Sequence, residues 1–305
     1  MIVAAAQVGS VLFDTPATME RLRAMVAQAA AQRVELLVFP EAFLGGYPKG
    51  LDFGAPVGTR QPYGREDFLR YYGAAVDLDG PELAEVGELA AQHKMAIVLG
   101  IIERAGGTLY CSAVFFDVDG TQAGIHRKTM PTAAERLIWG FGDGSTLGVH
   151  ELAGVRAGAN ICWENYLPQA RMALYQQGVE LYCAPTVDDR EIWAGSMRHI
   201  AYEGRCFVIS ACQYLLRSDC TGDYKCWQGD DPETVLIGGG SVIASPLGEI
   251  LAGPARNGEQ LLVADIDLND ITRGKYDLDV VGHYARPDIF TLHVNTAKQQ
   301  AVRLE

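Results

Sequence analysis

Short apolar runs alternate with helix-patterned segments along this chain, and a sequence of that kind buries itself by layering helices on β-sheet. Ile2 to Val8 is apolar with β-favouring ends, and Thr15-Pro16 supplies an N-cap and a first-turn proline for a helix. Leu22, Met25, Val26, Ala29 and Ala30 share one face of that helix. Leu36 to Phe39 reads as a strand that runs into Pro40-Glu41 and completes a β-α-β unit. Pro81 to His93 repeats the helical pattern, and Ala96 to Glu103 reads as a strand buried on both faces. The turn signals Gly106-Gly107 and Asp119-Gly120 make antiparallel neighbours of Thr108 to Asp117 and Thr121 to Arg127. The second half resumes with strands at Val155 to Ile161, Leu181 to Ala184 and Cys206 to Gln213, and helices at Gln169 to Gln177 and Ile192 to Glu203. Strands return at Ser241 to Ala244 and Leu261 to Ile266, joined through the Pro246-Leu247-Gly248 turn. The expected class is α/β, a layered sandwich.

No repeat, low-complexity tract or linker divides the 305 residues, so one large domain is the simpler expectation. Gly45 to Gly64 and Arg217 to Glu233 read as long loops of the kind that form lids or binding segments. A net charge of −13 repels phosphate backbones and anionic lipid, so neither nucleic acid nor a membrane is an expected partner. The longest apolar stretch, Ala96 to Ile102, falls far short of the ~18 residues of a membrane span. The first cationic side chain is Arg21, too late for a secretory signal, and a cytoplasmic location is expected. Of seven cysteines, Cys111, Cys183, Cys206 and Cys212 lie in apolar runs, where a thiol packs as a small hydrophobe. No CxxC or HExxH supports a metal, and no G-x-G-x-x-G, P-loop or G-x-S-x-G supports dinucleotide, NTP or serine-hydrolase chemistry.

Three polar residues stand where apolar strands stop: Glu41, Lys128 and Cys162. Ligands of open α/β sheets bind beyond the carboxyl ends of strands, so these groups are expected to converge. A thiol of pKa ~8.5 needs a neighbouring base or cation to attack at neutral pH. Glu41 would take its proton. The Lys128 ammonium would hold the thiolate and the charge developing on the substrate, with the Trp163 backbone N–H as a second donor.

Around these residues stand Phe39-Pro40-Glu41-Ala42-Phe43, His126-Arg127-Lys128 with Met130-Pro131-Thr132, and Asn160-Ile161-Cys162-Trp163-Glu164-Asn165. These motifs resemble those of the nitrilase superfamily. Cys-Trp-Glu resembles the nitrilase branch. Ala184-Pro185-Thr186, Glu135-Arg136-Leu137 with Trp139-Gly140, and His283-Tyr284 with Arg286-Pro287-Asp288 extend the likeness over nearly the whole chain. The resemblance implies a four-layer α-β-β-α sandwich formed by residues 1–282, and a C-terminal tail, 283–305, engaged in dimer contacts. It implies a homodimer or larger homo-oligomer, and no metal or organic cofactor. Residue by residue it implies Cys162 as nucleophile, Glu41 as general base, Lys128 as the stabilising cation and Glu135 as a supporting acid. Tyr47, Thr129, Trp163 and Thr186 are the expected substrate-binding residues. Ala133-Ala134 and Thr129 depart from the usual motif, which implies altered pocket walls.

Several neighbouring residues have ordinary readings. Glu164, near Cys162, reads as a cap or anchor for the following loop. Lys49 reads as solvent-facing, Cys220 and Cys226 as partly buried, and His199 as a possible core side chain. A Cys-His dyad would need His126 or His199. The implied reaction is hydrolysis of an organic nitrile to acid and ammonia. The same triad could cleave an amide or carbamoyl C–N bond, a relative could release amide, and an inactive binding protein would retain only the fold.

Overall fold

The computed structural model describes residues 1–224 and 226–302. In order come β1 (Ile2–Gln7), α1 (Thr15–Ala31), β2 (Leu36–Val38), α2 (Tyr63–Ala74), α3 (Pro81–His93), β3 (Ala96–Ala105), β4 (Thr108–Phe116) and β5 (Gln122–Arg127). The second half holds β6 (Val149–Leu152), β7 (Val155–Ala159), α4 (Pro168–Gln176), β8 (Leu181–Cys183), α5 (Glu191–Gly204) and β9 (Phe207–Ser210). Last come β10 (Tyr214–Leu216), β11 (Val235–Gly238), β12 (Val242–Ala244), β13 (Ile250–Ala252), β14 (Gln260–Asp265) and α6 (Asn269–Gly274).

Two six-stranded sheets form, ordered β14-β1-β2-β3-β4-β5 and β13-β12-β9-β8-β7-β6, with β10-β11 as a separate ribbon. Successive side chains of a strand point to opposite faces, and the apolar residues sort accordingly. Val3 and Ala5 of β1 join Ala157, Ala159 and Ile209 in a core between the sheets. Ala4 and Ala6 face the other way, into a core with Leu22 and Val26 of α1 and Leu83 and Val86 of α3. Outside the second sheet, Trp193, Met197 and Ile200 of α5 and Leu174 of α4 cover Tyr182, Val208 and Val242. Three cores between four layers make the α-β-β-α sandwich expected from the sequence.

Four of the sequence expectations are revised by the structure. Helix α2 follows the Gly45 to Gly64 loop without having been evident, because its buried positions are only Gly64, Tyr71 and Ala74 and form no apolar stripe. The Pro246 to Gly248 turn does not lead to β14; it joins β12 to β13, while β14 pairs antiparallel with β1 in the opposite sheet. His199 is no core residue: its side chain is 66% exposed and lies 3.7 Å from Glu203. Cys220 and Cys226 are fully rather than partly buried.

Candidate active site

Glu41 is carried one step past β2, where Phe39 N–H still donates to Val98 O. The chain then crosses β3 at Gly100, where an added Cβ would stand 2.0 Å from Pro40 O, so only glycine lets this segment lie flat on the sheet. Gln213 Nε2 donates to Glu41 O at 2.8 Å and fixes the turn from the opposite sheet. Lys128 extends the β4–β5 ladder, its N–H donating to Cys111 O at 2.8 Å.

Cys162 follows β7 with φ +51°, in the left-handed region a branched or bulky residue avoids. Its conformation is held by its surroundings: its N–H donates to Pro185 O at 2.9 Å, and Asn165 Nδ2 donates to Cys162 O and Asn160 O at 2.8 and 2.9 Å. Tyr182 OH in turn donates to Asn165 Oδ1 at 2.8 Å.

Lys128 Nζ lies between two carboxylates, 2.5 Å from Glu41 Oε1 and 2.8 Å from Glu135 Oε2. Its side chain and that of Glu41 are wholly buried. Glu135 has no free oxygen: Oε2 also accepts from Thr132 N–H at 2.6 Å, and Oε1 accepts from Tyr47 OH at 2.8 Å. Glu41 is different, for Oε1 accepts from Lys128 and faces Cys111 Sγ at 3.7 Å, whereas Oε2 is buried with no hydrogen-bond partner among the described residues. Trp139 lies 5.4 Å beneath the ammonium in cation–π geometry and edge-on to Tyr47.

The electrostatics follow from this burial. Desolvation pushes the Glu41 carboxyl up, Lys128 opposes it and Glu135 adds to it, leaving a pKa of about 7. Burial acts to lower Lys128, but Glu41, the thiols and Glu135 together outweigh it and hold the ammonium firmly charged. The Cys162 thiol is pushed well up, first by burial and then by Glu41, with Lys128 and the Thr186 hydroxyl opposing. A resting thiol beside a carboxylate that titrates near neutrality is the pair that general-base activation of a nucleophile requires.

Glu164 does not face this cluster. Its Oε2 accepts from Ile161 N–H at 2.8 Å and meets His126 Nε2 at 2.9 Å, while Oε1 accepts from Thr129 N–H at 2.6 Å and from Thr129 Oγ1 at 2.5 Å. His126 Nδ1 lies 3.1 Å from the Thr146 carbonyl, which can only accept. A carbonyl at one ring nitrogen and a carboxylate at the other favour the doubly protonated ring; burial opposes this charge, and Glu164 overrides it to raise the pKa. The pair ties the lysine strand to the cysteine loop and keeps His126 from forming a Cys-His dyad.

Of the other sequence-selected residues, Thr186 Oγ1 lies 3.3 Å from Cys162 Sγ and Tyr47 reaches the cluster through Glu135. Trp163 is 42% exposed, and its Nε1 donates to Asp188 Oδ2 at 2.9 Å. Thr129 spends its amide and hydroxyl on Glu164. Sequence reasoning missed Cys111, Gln213 and Tyr71, whose OH accepts from Trp139 Nε1 at 3.2 Å. Cys111 and Gln213 lie in or at the end of strand-like runs and Tyr71 in helix α2, none with a local signal of its contact.

Residues 2–276 match the carbon-nitrogen hydrolase family. The chain is 56% identical to a nitrilase of Bradyrhizobium diazoefficiens over 93% of its length and 88% of that protein. It is 50% identical to an aliphatic nitrilase of Sinorhizobium fredii, covering 98% of this chain and 97% of that one. Identity is also 50% to a bifunctional nitrilase/nitrile hydratase of Lupinus angustifolius, over 94% of this chain and 84% of that one. Among solved structures, a carbon-nitrogen hydrolase from Helicobacter pylori superposes with a TM-score of 0.73 at 21% identity, covering 94% of this chain and 96% of the other. The chain is a member of the carbon-nitrogen hydrolase family and, within it, of the nitrilase branch.

Proposed function

We infer that the chain hydrolyses an organic nitrile to the carboxylic acid and ammonia through a covalent intermediate on Cys162. The observation that carries this reading is the Lys128 ammonium held between Glu41 and Glu135 beside the Cys162 loop, in a chain whose relatives at 50–56% identity are named nitrilases. Cys162 Sγ adds to the nitrile carbon as its proton passes to Glu41 and on to nitrogen, giving a thioimidate. Water activated by Glu41 attacks that carbon, and the tetrahedral intermediate expels ammonia while Lys128 holds the developing charge. A second water releases the acid from the thioester. Glu135, together with Glu41, helps to keep Lys128 charged. Tyr47, Trp163 and Thr186 wall the pocket, and Thr129 bounds it from the lysine side with its polar groups held by Glu164.

Loss of the thiol instead of ammonia from the tetrahedral intermediate releases amide, and the bifunctional name of the Lupinus relative favours a minor amide product. A panel of aliphatic, arylacetic and aromatic nitriles assayed for ammonia, acid and amide tests the reading. Ammonia from amides but none from the matching nitriles would replace it with the amidase alternative.

Residues 1–282 form the catalytic domain in this reading, and the tail from 283 packs a second copy of the chain; 303–305 of that tail lie outside the described residues. Its Tyr284, Phe290, Leu292 and Val294 are exposed and line, with Pro168 and Met172 of α4, a groove of about 1010 Å³. A homodimer closed over this groove would bury that surface, and sedimentation of a chain truncated after residue 282 checks it by its monomeric mass. Seven free thiols fit a reducing cytoplasm.

A further inference from the structure

The sulfur of Cys162 has a polar neighbour to which the reaction scheme has given no chemical task. Thr186 is fully buried, and its own N–H donates to Ala211 O at 2.9 Å. Its Oγ1 accepts from Asp188 N–H at 2.9 Å and stands 3.3 Å from Cys162 Sγ. A hydroxyl carries one proton and two lone pairs. The Asp188 amide occupies a lone pair, which leaves the proton to donate, and among the described residues the acceptor it reaches is Cys162 Sγ. The turn that carries Thr186 is itself braced against the cysteine loop. Trp163 Nε1 donates to Asp188 Oδ2 at 2.9 Å, Arg190 Nε donates to Asp188 Oδ1 at 2.8 Å, and the guanidinium lies 4.7 Å over the Trp163 ring.

Of the two Glu41 oxygens, one is open among the described residues. Oε1 is taken by Lys128, while Oε2 is buried and has no hydrogen-bond partner among the described residues. A sulfur that accepts from Thr186 has its own S–H to give, and Glu41 Oε2 is the base with a vacant lone pair.

We propose that Thr186 is a catalytic residue whose hydroxyl donates to the Cys162 sulfur, stabilising it as it becomes thiolate, while the thiol proton passes to Oε2 of Glu41. The step balances: the S–H bond breaks toward Oε2, the sulfur pair forms the C–S bond, one π pair of the nitrile moves to nitrogen, and the proton on Glu41 follows it. The same donor serves the reverse polarity, when the thioester breaks and sulfur leaves as thiolate. This rests on the nucleophilic role of Cys162 in the function proposed above and adds a specific donor to it.

The test compares Thr186→Val, which keeps the shape and removes the hydroxyl, with Thr186→Ser, which keeps the hydroxyl. Thr186→Ala repeats the removal without a branched side chain to pack, should the valine variant not fold. The readouts are the rate at which iodoacetamide alkylates Cys162, read by mass spectrometry, and kcat and KM for the best nitrile. Loss of a hydrogen bond to a charged sulfur predicts a fall of about tenfold or more in both the alkylation rate and kcat, with KM little changed. Serine should restore most of each. Alkylation of the valine or alanine variant at the native rate, or a serine variant as slow as valine, overturns the assignment. Alkylation needs no nitrile, so a native enzyme that releases no ammonia from nitriles would sink the nitrilase reading and leave this result to stand by itself.

Discussion

Glu164 is the carboxylate nearest Cys162 in sequence, and replacing it separates an anchor from a base. Glu164→Ala leaves the Ile161 and Thr129 amides without acceptors and the His126 imidazolium buried without its counter-charge. Breaking a buried ion pair costs about 3–5 kcal/mol, and each orphaned amide about 1–3. The sum is comparable to the ~5–15 kcal/mol that holds an ordinary domain together, so the alanine variant should be largely unfolded. Glu164→Gln is milder. Its amide oxygen can still accept from Thr129, and its amide N–H can face a neutral His126, so only the Ile161 N–H loses its acceptor, at about 1–3 kcal/mol. The sign with pH is the sharper test. In the native protein His126 has a raised pKa, so its contribution is complete below the unfolded value of 6.5 and is lost as pH rises through the folded value. Glu164 has a lowered pKa; burial alone would raise it, but His126 and the hydrogen bonds prevail, and its contribution persists above 4.5. The glutamine variant cannot hold an imidazolium, so its deficit against the native protein should be larger near pH 5.5 than near pH 9. Urea denaturation at both pH values measures this. A deficit independent of pH, or a fully stable glutamine variant without activity, would refute the anchor and make Glu164 part of the chemistry.

Other substitutions in the cluster have expected outcomes of different size. Cys162→Ala should abolish turnover of every nitrile, as read by ammonia release. Glu41→Gln and Lys128→Ala should each lose roughly three orders of magnitude in kcat, the scale of general-base and electrostatic contributions; a near-native Glu41→Gln rate would remove Glu41 from the mechanism. With burial holding Glu41 at about 7, kcat/KM should rise as pH increases through 7, where the carboxylate becomes available as base. Because that pKa is raised, the Glu41 contribution to stability runs the other way, complete below 4.5 and lost as pH climbs to about 7; thermal melts of native protein and Glu41→Gln between pH 4.5 and 8 compare the two.

Period and turn chemistry made most of the sandwich legible, because strands such as Leu36–Val38 and Leu181–Cys183 are buried on both faces and their helices carry one apolar stripe. What escaped was structure without such a pattern. The edge strand Ile250–Ala252 is largely exposed, and the β10–β11 ribbon is held at the margin of the loop region. Within the site, residues at strand ends declared themselves, since a polar side chain ending an apolar run is conspicuous. Cys111 and Gln213 did not, because a thiol inside a strand and an amide at a strand end look alike whether or not they touch the Glu41 carboxylate 70 residues away or the Glu41 backbone carbonyl 172 residues away. Glu164 is intermediate: its spacing after Ile161 suggested a cap, but nothing local revealed that the same carboxylate holds His126 and Thr129.

In the proposed mechanism, the burial of this site also bears on when the nucleophile is made. Desolvation raises the carboxyl of Glu41 and the thiol of Cys162 together, which disfavours a thiolate ahead of substrate; in the proposed mechanism the thiol proton leaves as the carbon is attacked. Reactivity should therefore follow ionisation of the Glu41 cluster and level off above about pH 7, where an ordinary thiol keeps gaining rate up to its own pKa of about 8.5. Charge adds a second discrimination. Glu41 and Glu135 flank a single ammonium, so an anionic electrophile enters a site whose cation is already matched twice. Neutral iodoacetamide should alkylate Cys162 at least about tenfold faster than iodoacetate, beyond the modest preference of a free thiol. Alkylation rates across pH 5–10 with both reagents measure the two effects at once. A rate that climbs without a plateau to pH 10, equal for the two reagents, would mean a solvent-exposed thiol acting without Glu41.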